Sequence, residues 1–256
     1  MNLRHGILPT ILLAVLTLTP SALAVSSPAP AGAPVGKLGF FIGDVRCRAG
    51  VGPWAPARLD QVLGSGHELR TGKESRAELQ LGQSVVRMGE STVLRLADLQ
   101  VAEGRAEGGL QLLFGQLWSR LRGLGEAGLQ VKSPTAVMAV RGTTFRAEAG
   151  ADSSLSMWVY EGQVDMGGRR VLEGDVPEPA RAEVAEPQAP TAAAAPRPVP
   201  GPFEITLDEW VRVTQGMRFT LRPDGRYALE RIDEERDLLD DWVRWNQERD
   251  RTADHE

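Results

Sequence analysis

The feature that most narrows the fold is the way glycine divides the chain between Val35 and Met166 into apolar alternations too short to make helices. In Arg76-Ala77-Glu78-Leu79-Gln80-Leu81 the polar side chains hold one parity and Ala77, Leu79 and Leu81 the other. A period of two is what a strand lying between core and solvent requires. Gly82 and Gly89 follow as turns. The same pattern predicts strands over 84–88, 92–96, 110–114, 116–121, 136–140 and 155–160, the last setting Leu155, Met157 and Val159 against Ser156, Trp158 and Tyr160. Residues 98–108 read as a loop or a short helical excursion, and 123–128, with three glycines and a charge, as a mobile turn. Short strands at this spacing suit a sandwich, a roll or a short solenoid.

Proline marks the other parts of the chain. Between Pro177 and Pro202 lie eight prolines and eight alanines. Alternating prolines remove backbone donors and favour extended polyproline II geometry, so 173–202 is expected to be a partly stiff spacer that ends the β domain. A small α+β element over 203–256 is expected beyond it. Met217-Arg218-Phe219-Thr220-Leu221 meets Pro223-Asp224-Gly225 and returns at 226–229 as a hairpin, and a helix follows over 233–251. Asp233 is placed to cap that helix, and Leu238, Leu239, Trp242 and Trp245 fall on one stripe at spacings of three and four. The stripe requires a partner surface. Either the helix packs Trp242 and Trp245 against the chain's own hairpin or β body, or it is an acidic docking helix, residues 233–256 holding ten acidic and four basic side chains.

The first residues read as an export signal. Met-Asn-Leu-Arg-His precedes an apolar run from Ile7 to Leu18, then Pro20 and the small-residue pattern Ala22-Leu23-Ala24. The run falls short of the roughly 20 residues that span a bilayer. Cleavage after Ala24 is expected, with 25–37 as a flexible lead-in and a product in the periplasm or outside the cell, not stably inserted in a membrane. Val25 follows the motif where a lipoprotein would need cysteine.

The 29 Lys+Arg against 34 Asp+Glu give a net charge of −5, which offers no long-range attraction to nucleic acid. The single cysteine, Cys47, excludes an intrachain disulfide, and no Cys/His spacing suits zinc. Its expected role is that of a small buried hydrophobe, pairing between chains being the alternative. Catalysis finds no foothold. His67 in a glycine-rich turn is the one histidine away from the termini, Gly64-Ser65-Gly66 lacks the context of a nucleophile elbow, and no phosphate-cradling loop exists. No catalytic residue, metal or cofactor is expected.

Several segments together resemble the FecR protein domain. These are Gly64-Ser65-Gly66-His67-Glu68-Leu69-Arg70-Thr71-Gly72, then Arg76-Ala77-Glu78-Leu79, Val86-Arg87-Met88 with Ser91, Leu112-Leu113-Phe114-Gly115-Gln116-Leu117-Trp118 and Tyr160-Glu161-Gly162-Gln163-Val164. The most specific block runs from Val131 through Pro134 and Arg141-Gly142-Thr143-Thr144 to Phe145. The resemblance covers 38–167 and implies an extracytoplasmic, β-rich domain of roll or short solenoid character, with a β-sandwich as the alternative. The best-known members relay a signal from an outer-membrane transporter to a sigma factor through a cytoplasmic anti-sigma segment and a membrane helix. Here an export signal stands in that place, so the module carries over more readily than the route.

Within that frame Arg141, Thr143 and Thr144 are candidate contacts for an anionic group, or structural, Arg141 pairing with an acid such as Glu161 to lock two turns together. Glu161 reads first as a hairpin corner. Trp118, Trp158 and Tyr160 form either an exposed platform for glycan or peptide or a face covered by a second layer. The expectation is an exported, non-enzymatic binding or scaffold module of the cell envelope that recognises a protein, peptide or glycan. The alternative is the extracytoplasmic sensory component of a FecR-type signalling system.

Overall fold

A computed structural model of the chain describes residues 34–168 and 210–253, which belong to one compact unit, Ala31–Glu256. The export signal and the Pro/Ala-rich stretch fall outside the described residues. Alternation puts each strand's apolar parity inward, and the strands assemble into two sheets facing each other across one core.

The first sheet runs, in spatial order, β4 (Val62–Gly64), β1 (Pro34–Ile42), β6 (Arg76–Leu81), β7 (Ser84–Met88), β9 (Arg105–Arg120), β12 (Thr144–Ala149), β13 (Leu155–Glu161), β16 (Met217–Leu221) and β17 (Tyr227–Arg231). The second runs β3 (Ala55–Pro56), β2 (Val45–Ala49), β5 (His67–Thr71), β8 (Val93–Ala102), β9 again, β10 (Leu124–Lys132), β11 (Ala136–Val140), β14 (Gln163–Gly168) and β15 (Val211–Thr214). The sequence splits β9 into two strands at Gly115. It is one strand of 16 residues that belongs to both sheets and crosses between them at that glycine, whose φ is +95°. A Cβ there would stand 2.5 Å from the Thr92 Cα, so a side chain has neither the conformation nor the room. Having crossed, the chain returns as β10 parallel to the first half of β9, a single solenoid-like coil in an otherwise antiparallel roll.

The mainly β roll expected from the pattern is therefore present, neither sheet closing on itself. Leu79, Leu117 and Phe145 of the first sheet meet Leu69, Leu94, Leu112 and Val131 of the second in one buried cluster. Each such side chain contributes about 1.5–3 kcal/mol by leaving water. Ala77, Leu79 and Leu81 are all fully buried, as their parity demands. Cys47 is buried in the same cluster, and burial pushes its thiol pKa up to about 11, consistent with a small hydrophobe.

Several elements differ from expectation. Residues 98–108 are not an excursion: β8 and β9 continue through them as a hairpin, with a register shift between Ala97 and Gln100 and Asp98 at a φ of +48°. The bulge breaks the alternation that would have marked the strands. Most of the presumed mobile turn at 123–128 belongs to β10, Leu124 standing opposite Ala106 of β9 and the register shifting before the ladder resumes at Leu129. Pro34 opens β1, so the last residues of the expected flexible lead-in are strand.

The tail is continuous with the body. β15 pairs with β14 in the second sheet, β16 with β13 in the first, and β17 with β16. The Pro/Ala-rich stretch is consequently flanked by two neighbouring antiparallel strands, Met166 standing opposite Val211.

The expected single helix over 233–251 is broken into α1 (Glu234–Asp237) and α2 (Asp241–Ala253). Asp233 caps α1 as expected, accepting from the Arg236 N–H, but Asp240 then caps α2 by accepting from the Trp242 N–H at 2.9 Å. The break turns Leu238 and Leu239 to solvent, while Trp242 and Val243 face inward.

Candidate functional site

The outward parity of the first sheet carries a continuous row across eight strands, in register: Phe40, Glu78, Arg87, Trp118, Arg146, Trp158, Arg218 and Glu230. Directly opposed residues on antiparallel strands are close enough for their side chains to interact. Cations, carboxylates and aromatic rings alternate, so each guanidinium has an anion or a ring beside it. Arg146 and Arg218, on the strands flanking β13, lie over the Trp158 ring, 4.5 and 4.8 Å from its centre.

The α1–α2 segment lies over the middle of this row and supplies the carboxylates that the sheet lacks. Arg87, whose side chain is only 3% exposed, donates from Nε to Glu78 at 2.7 Å and from Nη1 to Asp250 at 2.6 Å. The other Asp250 oxygen accepts from Trp118 Nε1 at 2.8 Å. Arg249 returns the exchange by donating to Glu78 at 3.1 Å. Toward the start of the segment, Arg146 pairs with Glu148, with Asp240 at 2.8 Å and with Asp237 at 3.6 Å, and the Tyr160 hydroxyl donates to Asp237 at 2.8 Å. Trp118 stacks on Tyr160 and Trp242 on Trp245. Trp118, Trp242 and Val243 form a second buried cluster, packed by Tyr160 and Trp245 and separate from the core between the sheets.

Electrostatics follow from this enclosure. Burial works to raise the Glu78 pKa, but the Arg87 and Arg249 guanidiniums outweigh it and hold the carboxyl below its ordinary range. Asp237 goes the other way: burial outweighs its hydrogen bond from Tyr160 and the charge of Arg146, and its pKa rises. Burial and the Asp237 charge together keep Tyr160 un-ionised. Beside α2 a groove of about 440 Å³ opens between Phe40, Ile42 and Arg76 on the sheet and Trp242, Trp245 and Asp240 on the helical segment.

The structure thus brings five of the residues singled out in the sequence, Trp118, Trp158, Tyr160, Trp242 and Trp245, onto one covered face. The open platform is not formed, because Trp118 and Trp158 are 1% and 8% exposed. Arg141, Thr143, Thr144 and Glu161 sit apart at the corners where the chain passes between sheets. The Thr143 hydroxyl lies within donating distance of the Arg141 and Gln163 carbonyls, 3.0 and 2.9 Å away, and Thr144 donates to Glu161 at 3.2 Å. Gly162, at a φ of +82°, has no room for a Cβ, which would lie 2.9 Å from the Gly142 carbonyl oxygen. Thr143, Thr144 and Glu161 bind the corners to one another. His67 is equally local, its Nδ1 standing 3.0 Å from the Gly64 N–H.

Sequence reasoning missed Glu78, Arg87, Arg146, Asp237, Asp240 and Asp250. The available signal was that Glu78, Arg87 and Arg146 each occupy the outward parity of their strands, as Trp118 and Trp158 do. Among the described residues no group of acidic, histidine or cysteine side chains is arranged to hold a metal ion, and no helix is long and apolar enough to cross a membrane. The arrangement is suited to gripping a helix that carries carboxylates and aromatic rings.

Comparison with known proteins gives one family: the FecR protein model matches residues 67–165. No curated protein matches the chain. Two crystal structures of a candidate anti-sigma factor from Parabacteroides distasonis are similar at 14% and 15% identity, with TM-scores of 0.41 and 0.43. In each, the match covers 65% of this chain and 60% of the other.

Proposed function

Residues 67–165 of this chain are a FecR domain, and from that premise we propose that the protein is an exported, non-enzymatic recognition component of a FecR-type signalling system. The family match carries this reading. Its biochemical act is to bind another protein of the envelope, and the covered face of the first sheet is the recognition surface best suited to it. A face whose buried arginines are satisfied by the chain's own carboxylates is selective, since an incoming segment must replace Asp250, Asp240 and Asp237 or leave those cations unpaired.

Deleting the gene and profiling transcripts tests the role. A signalling component is expected to change a small, coherent set of genes, and restoring the wild-type chain is expected to reverse that change. An unchanged transcript profile accompanied by altered envelope assembly would overturn the signalling role in favour of a scaffold.

A further inference from the structure

Roll architectures that do not close leave edge strands with unpaired backbone groups, and such edges are ordinarily blunted. Among the described residues the two sheets end in four edge strands, and three of these are blunted. β3 is two residues long and includes Pro56, β4 is three residues long and ends in Gly64, and β15 has four residues. The fourth, β17, is a regular strand of five residues, Tyr-Ala-Leu-Glu-Arg, with neither glycine nor proline.

Parity fixes which of its groups are free. The Arg222 N–H bonds to the Arg226 carbonyl and the Ile232 N–H to the Gly216 carbonyl. In an antiparallel ladder bonded pairs recur at every second residue, so Ala228 and Glu230 spend their backbone groups on β16. Tyr227, Leu229 and Arg231 direct theirs outward. Leu229 stands opposite Phe219, which is completely buried, yet is itself 39% exposed, so the inward parity of β17 is left incompletely covered.

We propose that β17 pairs antiparallel with β17 of a second copy of this chain, on a two-fold axis through Leu229. This register is self-consistent. Leu229 faces Leu229, Tyr227 faces Arg231 of the second copy, and all three outward-directed residues find partners, giving about six main-chain hydrogen bonds. On the other parity Glu230 faces Ala228, so no like charges are directly opposed, and each Arg231 guanidinium is set beside a Tyr227 ring. A parallel arrangement in the same place would set Glu230 against Glu230 and Arg231 against Arg231. The isologous pairing also terminates itself and consumes the long edge on both copies.

Light scattering of the full mature chain at about 100 µM, where association of micromolar strength is saturated, is expected to give the mass of a dimer. Leu229→Pro removes an outward N–H that β16 does not use. It is expected to weaken dimerisation at least about tenfold while leaving the β-sheet circular dichroism intact. Independently of any folding effect, Leu229→Cys is expected to form a reducible covalent dimer on oxidation, because bonded antiparallel pairs place their Cα atoms about 5.5 Å apart. Ala228→Cys, which would face Glu230, is expected not to. A monomeric mass for the wild-type chain, a dimer undiminished by Leu229→Pro, or equal cross-linking at both positions would each overturn the proposal.

Discussion

The outward faces of the two sheets meet the same difficulty and resolve it differently. On the second sheet Glu68, 1% exposed, accepts from both Arg48 and Arg95 on flanking strands, while the Arg48 and Arg70 guanidiniums lie over the Trp54 ring, 4.5 and 5.0 Å from its centre. That face balances its charges with residues of its own half of the chain and keeps its arginines partly in water. The first sheet encloses Arg87 and Arg146, and most of their carboxylates come from a segment 91 to 163 residues further along. The difference teaches that a cationic strand face can be self-contained or can be a receptor, depending on whether the acid lies in the same sheet. Only in the second arrangement do the acids belong to a separate helical segment, which is what the proposed recognition requires.

Arg87→Ala is the largest expected blow to this contrast. It removes the cation that Glu78 and Asp250 share, leaving them only Arg249 and the Trp118 N–H, and is expected to cost about 3 kcal/mol. Tryptophan emission should shift to the red at denaturant concentrations below the main unfolding transition, as α2 detaches first. A single cooperative transition with unshifted emission would mean that the helical segment is not held by the arginine row. Glu68→Gln on the opposite face is expected to cost less, about 1.5 kcal/mol, because Arg48 and Arg95 retain solvent. Hydrogen exchange in α2 should not change, and if it rises the two faces are not independent.

Acid is expected to act most gently. Glu78 and Glu68 are both held below the ordinary carboxylate range, in each case because two arginines outweigh the effect of burial. The unfolded chain therefore takes up those protons first. Their contribution is complete above the ordinary carboxylate pKa of about 4 and is lost as pH falls through the lower folded values. Asp237, raised by burial, has the opposite sign: the cost of its ionisation disappears as pH falls through its raised value. Stability should accordingly hold or rise slightly on mild acidification and decline only below that range, and Glu78→Gln should flatten the decline. An unaltered acid limb in that variant would remove the Glu78 pairing from the account.

Much of this was legible in residue order. The alternation of Ala77, Leu79 and Leu81, the inward set Leu155, Met157 and Val159, the hairpin about Pro223-Asp224-Gly225 and the cap at Asp233 are local matters, decided by parity, turn chemistry and side-chain reach. What escaped was non-local. The bulge at Asp98 and the crossing at Gly115 shift a strand's register or sheet without altering its composition. The row from Phe40 to Glu230 exists only once eight strands have been placed side by side. Trp242 could be recognised as belonging to an apolar stripe, but not that its partner would be Trp118.

Sequence alone determined a β-rich chain, the parity of its strands, the FecR resemblance and an amphipathic acidic tail, because each of these rests on neighbours within a few residues. Tertiary structure decided which strands adjoin, that the Pro/Ala-rich stretch joins two neighbouring strands, and that the tail closes over the arginine row in cis. Pairing register depends on distant partners competing for the same backbone groups and buried charges, and no local pattern encodes the outcome of that competition.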